Sequence, residues 1–148
     1  MEVAKNSKAR FAYEIIEDLE AGIVLTGSEV KSMRLKKVSI VDSYAVIKNN
    51  EIFLINMRIE PYTHGHHFNH EPVRNRKLLL HKKEIARLKG KLAEKGWALI
   101  PLKIYFKDNR NVKILLGLCR GKKLHDKRQS IKDKDLNREA QRELKSYK

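Results

Sequence analysis

Apolar and polar residues alternate over positions 102–118, a period of two that is typical of β-strands with one buried face. A polar turn at 108–111 separates two halves that keep the same alternation. The pattern predicts a hairpin with one face toward a core and with basic and aromatic side chains on the other face. The apolar positions are Leu102, Ile104, Phe106, Val112, Ile114, Leu116 and Leu118, and the first strand's opposite face carries Lys103, Tyr105 and Lys107.

Further strand signals precede this hairpin. Residues 44–47 and 52–55 are rich in β-branched and aromatic side chains, and they flank Asn49 and Asn50. Asparagine tolerates positive φ, so this pair predicts a tight hairpin turn. The run at 22–25, Gly-Ile-Val-Leu, also predicts a strand.

Two segments carry helix signals. Thr26 and Glu29 have the spacing of a capping box, which predicts the start of a short helix. Residues 82–95 have apolar side chains at helical spacing and are followed by Gly96 as a C-terminal cap, which predicts an amphipathic helix. The inward residues are Val30 and Met33 in the first helix and Ile85, Leu88 and Leu92 in the second.

Short strands with one or two helices between them predict an α+β fold, with an OB-like barrel as the leading architecture. We place the barrel domain at residues 1–125. From Asp126 the composition changes, because basic and acidic residues alternate and few large apolar residues remain to form a core. Since isolated helices are marginal in water, we expect a tail at 126–148 that is disordered when free and helical when bound to a surface.

The charge of the chain narrows the choice of partners. Its 148 residues include 33 Lys and Arg against 18 Asp and Glu, a net charge of +15. This excess attracts polyanions, so nucleic acid or an anionic membrane surface are the first partners to consider. No apolar run approaches the ~20 residues that span a bilayer, the N-terminus does not resemble a secretory signal, and the single Cys119 forms no internal disulfide. We expect a cytoplasmic protein that handles RNA or DNA and has no membrane partner.

Basic residues form local clusters, which predict contacts with phosphate groups. Aromatic side chains can stack on unpaired bases beside them. The alternative is a basic surface that is merely solvated, and charge does not separate RNA from DNA. The candidate phosphate contacts include Arg76, Lys77, Lys122 and Lys123, and the candidate stacking residues are Tyr44, Tyr105, Phe106 and His125.

A histidine-rich segment raises the question of a metal site. Neutral imidazoles are good ligands for zinc or nickel, and four of them lie between two prolines here. No cysteine or helical scaffold fixes their geometry, so a polar loop without a metal is the stronger interpretation. The four are His64, His66, His67 and His70.

Enzymatic activity has one candidate pair, His125 and Asp126, which would serve as acid and base in a nuclease. Adjacent residues seldom face each other, so geometry argues against this pair. The sequence also lacks a glycine-rich phosphate loop and a nucleophile motif. We therefore expect a protein that is not an enzyme and needs no cofactor.

Glu20 is the acidic residue of most interest, because a carboxylate on a basic RNA-binding face can accept a hydrogen bond from a base or orient an arginine. From the sequence alone, an ordinary exposed glutamate at the entry to a strand is the stronger interpretation.

Long strings of residues closely resemble one bacterial family, the SsrA-binding protein (SmpB) family. The match runs in one register from about Lys5 to the end of the chain. It is carried by Asn6 with Ala9-Arg10-Phe11, by 20–34 (EAGIVLTGSEVKSMR), by Asp42-Ser43-Tyr44, by 76–85 (RKLLLHKKEI), by 101–107 (PLKIYFK), and by Gly121-Lys122-Lys123 with His125-Asp126-Lys127-Arg128.

The resemblance implies a mainly β fold with embedded helices, built as an OB-like closed β-barrel plus the C-terminal tail. It also implies binding to the tRNA-like domain of transfer-messenger RNA (tmRNA, or SsrA RNA). Family members accompany alanyl-tmRNA, delivered by elongation factor Tu, to stalled ribosomes. There the tail lies in the empty message channel at the decoding centre, against small-subunit ribosomal RNA, and translation resumes on tmRNA.

The resemblance also implies functional residues. It favours an RNA-binding role for Glu20 over the interpretation as an ordinary surface glutamate. Leu79 lies in an apolar triplet, so a position in the core and a contact with RNA are equally reasonable for it. Residues tied to tmRNA binding are Asn6, Glu20, Leu79 and Lys113. The decoding-centre segment is matched by His125, Asp126, Lys127 and Arg128, and the tail would follow ribosomal RNA with Lys132, Lys134, Arg138 and Arg142.

Two turns depart from the family pattern. Leu35-Lys36 stands where many relatives have Ala-Gly, and Glu71-Pro72 stands where they have Asp-Pro. Neither change touches the RNA-binding or tail motifs. The alternatives from other classes are a nuclease or RNA-modifying enzyme and a ribosomal structural protein that binds assembled subunits but not free tmRNA.

Overall fold

The computed structural model describes residues 1–63 and 69–121. Within these ranges the elements are β1 Glu2–Lys5, α1 Ala9–Ala12, β2 Tyr13–Ile23, α2 Gly27–Arg34, β3 Val38–Ser39, β4 Tyr44–Lys48, β5 Glu51–Ile55, β6 Arg58–Ile59, β7 Arg76–Leu79, α3 Lys82–Lys95, β8 Ala98–Lys107 and β9 Asn111–Gly121. The fold is mainly β with embedded helices, as predicted. The predicted domain boundary at 125 and the tail at 126–148 lie outside the described residues.

Six strands pair into a ring in the order β8, β4, β5, β7, β2 and β9, and β9 pairs again with β8. The seam between β4 and β8 is narrow, with the single backbone pair Ala45–Leu99. By contrast, β9 pairs along most of its length with both β2 and β8. The predicted OB-like closed barrel is therefore confirmed. Its ring has six strands, whereas a typical OB-fold has about five. β1 extends the sheet beside β8, and β3 and β6 form a separate pair.

Both predicted hairpins are present. Asn49 and Asn50 join β4 to β5 with φ angles of 52° and 60°, the left-handed pair that a two-residue turn of type I′ requires. Asp108 and Asn109 take the same region between β8 and β9, with φ angles of 55° and 57°. The short polar side chains of Asn and Asp make this conformation accessible.

The core lies inside the ring. Ile52, Leu54, Ile104, Ile114 and Leu116 are completely buried there, and they come from the inward positions of the alternating strands. A continuous apolar cluster of this kind is the main favourable term in folding a domain of this size.

The two predicted helices pack on this barrel. The capping box of α2 is complete, because the Thr26 side chain accepts from the backbone N–H of Glu29 and the Glu29 carboxylate accepts from that of Thr26. α3 buries Ile85 and Leu88 and ends at Gly96, whose φ is 65°. The inward residues of both helices are as predicted, with Met33 fully buried and Val30 and Leu92 partly buried against the core.

The strand predicted at 22–25 is displaced. β2 runs from Tyr13 to Ile23, so it begins nine residues earlier, and Val24 follows it with 47% of its surface exposed. A β-bulge between Ile15 and Glu17 shifts the phase of the strand, which hides the period of two in the sequence. The sequence did not predict β1, α1, β3, β6 or β7.

No helix within 1–63 and 69–121 is long and apolar enough to cross a membrane.

Candidate nucleic-acid interface

One transverse row of residues crosses four neighbouring strands on the outer face of the barrel. Gly22 on β2 pairs with Leu79 on β7 and with Lys113 on β9. Lys113 pairs in turn with Tyr105 on β8. Residues directly opposite each other in antiparallel strands project from the same face, so this row places an apolar, a basic and an aromatic side chain side by side.

Leu79 projects from the surface with 52% of its area exposed. Its neighbour Leu78 is buried, with 1% exposed, because successive residues of a strand point to opposite faces. The structure thus places Leu79 outside the core and leaves it available for contact with a partner.

The glycine in this row allows a close approach. A Cβ atom on Gly22 would lie 3.2 Å from the Cβ of Leu79, closer than packed carbon atoms prefer. The absence of a side chain at Gly22 lets Leu79 lie against the backbone of β2. Clefts of about 260 Å³ and 390 Å³ adjoin Leu79, and Gly22, Leu79 and Lys113 line both.

Glu20 lies two residues before Gly22 on the same face of β2, where its side chain is 36% exposed. Its carboxylate accepts hydrogen bonds from the Tyr105 hydroxyl and, at 3.0 Å, from Lys107 Nζ. Both donors come from β8, so the contacts pass over β9 and fix the carboxylate near Lys113.

These contacts change two pKa values. The hydrogen bond from Tyr105, followed by that from Lys107, lowers the pKa of Glu20. Partial burial and the hydrogen bond to Glu20 raise the pKa of Tyr105 to about 12. Glu20 is therefore a carboxylate and Tyr105 a neutral phenol across the physiological pH range, and the phenol remains a donor to the carboxylate.

The other predicted site residues lie elsewhere. Lys77 is exposed on β7 and forms an ion pair with Glu51 at 3.3 Å, so it remains a surface cation. Lys122, Lys123 and every predicted tail residue from His125 to Arg142 lie outside the described residues, as do His64, His66 and His67.

The prediction that Arg76 contacts RNA is wrong, because its side chain is completely buried. Arg76 Nε donates to the Glu29 carboxylate at 2.5 Å, and Nη1 donates to the carbonyl oxygen of Met57 at 2.7 Å. Arg74 donates to the same carboxylate. Burial opposes ionisation of Glu29, but the hydrogen bonds from Arg74, the Thr26 N–H and Arg76 outweigh it and lower its pKa. Arg76 is thus part of an ionic cluster inside the fold.

Asn6 is also buried, with 5% of its surface exposed. Its side-chain Nδ2 donates to the carbonyl oxygen of Pro101 at 3.0 Å, and its backbone N–H donates to that of Leu102 at 2.8 Å. This position contradicts direct contact between Asn6 and RNA. An effect of Asn6 on RNA binding through the fold stays a prediction.

His70 has hydrogen-bond partners within the fold. Its Nδ1 lies 2.8 Å from the hydroxyl of Ser28, and its Nε2 lies 2.9 Å from the carbonyl oxygen of Ile59. Within the described ranges no group of three or more potential metal ligands comes together.

Sequence reasoning did not assign Gly22 or Lys107 to the site, and it named Tyr105 only as a stacking candidate. The signal was present in the alternation of Lys103, Tyr105 and Lys107 on the outer face of one strand. What was missing was the register between β2, β9 and β8, which brings this strand to Glu20.

Comparison with known proteins shows the family of this chain. A family model described as "SmpB protein" matches residues 3–146. The chain belongs to the SmpB family. It is 52% identical over 146 residues to an "SsrA-binding protein" of Gloeothece citriformis, covering 98% of this chain and 94% of that protein. It is 54% identical over 144 residues to an "SsrA-binding protein" of Magnetococcus marinus, covering 97% and 95%.

A solved structure of the SmpB family is similar as well. It is reported as "tmRNA-SmpB: a journey to the center of the bacterial ribosome", and one of its chains matches with a TM-score of 0.70 and 48% identity. The match covers 86% of this SmpB-family chain and 93% of that chain. The family assignment therefore rests on sequence and on fold.

Proposed function

We propose that this chain binds the tRNA-like domain of tmRNA and brings it to stalled ribosomes for trans-translation. The observation that carries the proposal is the row of Leu79, Gly22, Lys113 and Tyr105 with Glu20 beside it. The relatives named "SsrA-binding protein" support the choice of tmRNA as the RNA.

The chemistry of this face suits folded RNA. Lys113 and Lys107 are cations that can contact phosphates, and such contacts position a nucleic acid without reading its sequence. Glu20 is an acceptor held in place by Tyr105, and an ionised carboxylate can accept from the amino or imino groups of a base. Leu79 adds an exposed apolar surface that fits an unstacked base or a ribose.

The same proposal assigns a second task to the tail at 126–148. On the stalled ribosome the tail occupies the empty message channel at the decoding centre. His125 to Arg128 lie at the entry of the channel, and the tail follows small-subunit ribosomal RNA with Lys132, Lys134, Arg138 and Arg142. Elongation factor Tu joins through alanyl-tmRNA. The net charge of +15 supports contacts with two RNA partners.

Under this proposal the protein binds and positions RNA and catalyses no reaction itself. The nuclease alternative, with His125 and Asp126, predicts RNA turnover that His125→Ala removes. Incubation of tmRNA with the full chain therefore separates the binding protein from the nuclease. RNA that stays intact through a prolonged incubation would contradict the nuclease alternative.

Paired substitutions on one strand test the binding site. Glu20→Ala removes the carboxylate held by Tyr105 and Lys107, and we expect about a ten-fold loss of affinity for the tRNA-like domain, or ~1.4 kcal/mol. The matched control is Glu14→Ala, which removes a β2 carboxylate paired with Arg120 and should leave affinity unchanged. Equal losses in both variants would contradict the assignment of this face.

A further inference from the structure

Helix α2 ends in a cluster of cations, which we call the α2 basic end. It consists of Lys31, Arg34, Lys36 and Lys37, with no acidic residue between them, and all four are exposed. Leu35 lies among them with 54% of its surface exposed. An apolar side chain surrounded by cations suits a polyanion that also carries apolar groups. RNA is such a partner, because its phosphates alternate with riboses and bases.

Local interactions account for two of these cations. Lys31 and Arg34 lie in the last turn of α2, where positive charge stabilises the C-terminus of a helix. Each also lies over an aromatic ring, with Lys31 Nζ 5.4 Å from the centre of Tyr62 and the Arg34 guanidinium 4.7 Å from that of Phe106. Lys36 has no such role, because within the described residues its ammonium group has no hydrogen bond, ion pair or ring contact.

The backbone makes lysine an unexpected residue at position 36. The N–H of Lys36 donates to the carbonyl oxygen of Met33 at 2.9 Å. The N–H of Lys37 donates to that of Ser32 at 3.1 Å, and together these hydrogen bonds form a Schellman motif. Lys36 takes its left-handed position, with a φ of 58°, where glycine is usual because a Cβ atom is unfavourable. Strained residues of this kind cluster at functional positions.

The α2 basic end lies next to the proposed RNA-binding row. Arg34 Nη2 donates at 3.3 Å to the carbonyl oxygen of Asn109, in the turn between β8 and β9. The cleft of about 260 Å³ that adjoins the row is lined by Lys113, by Arg110 of the same turn and by Val30 of α2. Cations therefore follow one another from Lys113 in the row through Arg110 to Arg34.

We propose that the α2 basic end binds the backbone of the same RNA, beside the segment that the row contacts. Lys36 contacts a phosphate, and Leu35 lies against a ribose or an unstacked base. Phosphate contacts of this kind position an RNA without reading its sequence. The contact explains why a charged residue occupies a position where glycine would strain the backbone less. The inference rests on the proposed function for the identity of the RNA.

Lys36→Gly provides the test, because it removes the cation and relieves the backbone in one change. We expect this variant to be at least as stable toward urea as the unaltered chain. We also expect about a three-fold loss of affinity for the tRNA-like domain at about 50 mM salt, and a slope of log affinity against log salt that is smaller by ~1, as for one lost phosphate contact. Lys36→Arg should keep both the affinity and the slope. Loss of the fold cannot explain weaker binding by a variant that is not destabilised.

Two control variants separate charge from backbone. Lys48→Ala removes an exposed lysine from β4, a strand that contributes nothing to the row, and it should leave the salt slope unchanged. Asn56→Gly relieves a positive φ of 65° without changing the charge, and it should bind RNA as the unaltered chain does.

Each contrary result has its own meaning. If Lys36→Gly keeps its affinity and slope while Glu20→Ala binds more weakly, this inference is wrong and the proposed function stands. If both variants bind as the unaltered chain does, the proposed RNA-binding face is wrong and the inference falls with it. Equal losses in Lys36→Gly and Lys48→Ala would assign the effect to net charge and overturn the inference. Weaker binding of Lys36→Gly to phosphatidylglycerol vesicles, with RNA binding unchanged, would assign the α2 basic end to an anionic membrane and overturn it as well.

Discussion

Leu79 of β7 packs its side chain directly over Gly22 of β2, and the two residues are a cross-strand pair. The contact keeps an exposed leucine in a fixed position, because any side chain on the facing strand would displace it. The exposed leucine that we propose as an apolar contact for RNA is thus held in place by a facing residue that has no side chain.

Gly22→Ala tests this relationship. The added Cβ would lie 3.2 Å from Leu79 Cβ, an atom fixed to the backbone, so β7 must move. We expect a destabilisation of about 1 kcal/mol, the lower end of overpacking costs, and weaker binding to the tRNA-like domain. Thermal unfolding and a binding titration measure the two effects.

Gly90→Ala is the control for that substitution. Gly90 lies in α3 with no atom within 4 Å of an added Cβ, and alanine favours helix by ~1 kcal/mol over glycine. This variant should be slightly more stable and should bind RNA as the unaltered chain does. Normal RNA binding by Gly22→Ala would show that the position of Leu79 is unimportant.

The pair of Glu20 and Tyr105 gives a spectroscopic prediction. Burial and the Glu20 carboxylate raise the pKa of Tyr105 to about 12, so Glu20→Gln should move it toward the ordinary tyrosine value of ~10. A near-UV absorbance titration measures this, and the difference from Tyr105→Phe isolates the Tyr105 signal. Glu17→Gln is the control, because Glu17 contacts Arg87 and Lys91. An unchanged Tyr105 titration in Glu20→Gln would contradict the hydrogen bond.

The buried cluster of Glu29, Arg74 and Arg76 predicts a large effect on stability. Glu29→Gln leaves the buried Arg76 guanidinium without its counter-ion, and breaking a buried pair costs ~3–5 kcal/mol. Urea unfolding measures the loss. Glu60→Gln removes the partner of Arg58 in an ion pair whose side chains are 50% and 46% exposed, and it should leave the free energy of unfolding nearly unchanged.

The same cluster sets a pH dependence. The folded-state pKa of Glu29 lies below its ordinary value, so the unfolded chain binds the proton more tightly. The stabilisation is complete above the unfolded pKa of ~4.3 and is lost as pH falls through the folded pKa. Unfolding midpoints should therefore fall less steeply below pH ~4 in Glu29→Gln than in the unaltered chain. Parallel pH profiles would contradict this account.

The sequence predicted correctly the turns and helix caps that depend on residues close together in the chain. The Asn49-Asn50 turn, the Thr26–Glu29 capping box and the Gly96 cap each depend on residues within a few positions of each other, and each is present. The hairpin at 102–118 was equally visible, because its two strands are neighbours in sequence and keep one phase.

Long-range pairing explains what the sequence did not reveal. In the sequence Arg76 belongs to a basic cluster that is typical of a protein surface. In the fold it is buried, because it pairs with the carboxylate of Glu29, 47 positions away. The first half of β2 is obscured by the bulge at Ile15–Glu17. Glu20 and Tyr105 are 85 positions apart, so only the strand register places them together.

Substitutions in the tail should separate tmRNA binding from ribosome rescue. Reversing the charges of Lys132, Lys134, Arg138 and Arg142 should leave affinity for the tRNA-like domain within about two-fold, because the proposed binding face lies on the barrel. Tagging of the stalled nascent chain should be lost. A reconstituted translation reaction on a message without a stop codon measures tagging. Loss of tmRNA binding in this variant would contradict the division into body and tail.

A competition titration tests the central claim most directly. The full chain is offered the tRNA-like domain of tmRNA and an ordinary tRNA, at about 50 and 200 mM salt, where the non-specific electrostatic term falls steeply. We predict that the preference for the tmRNA domain persists at the higher salt and that Glu20→Ala abolishes it. Equal affinities that fall together as salt rises, in both the unaltered chain and Glu20→Ala, would contradict the assignment of tmRNA recognition to this face.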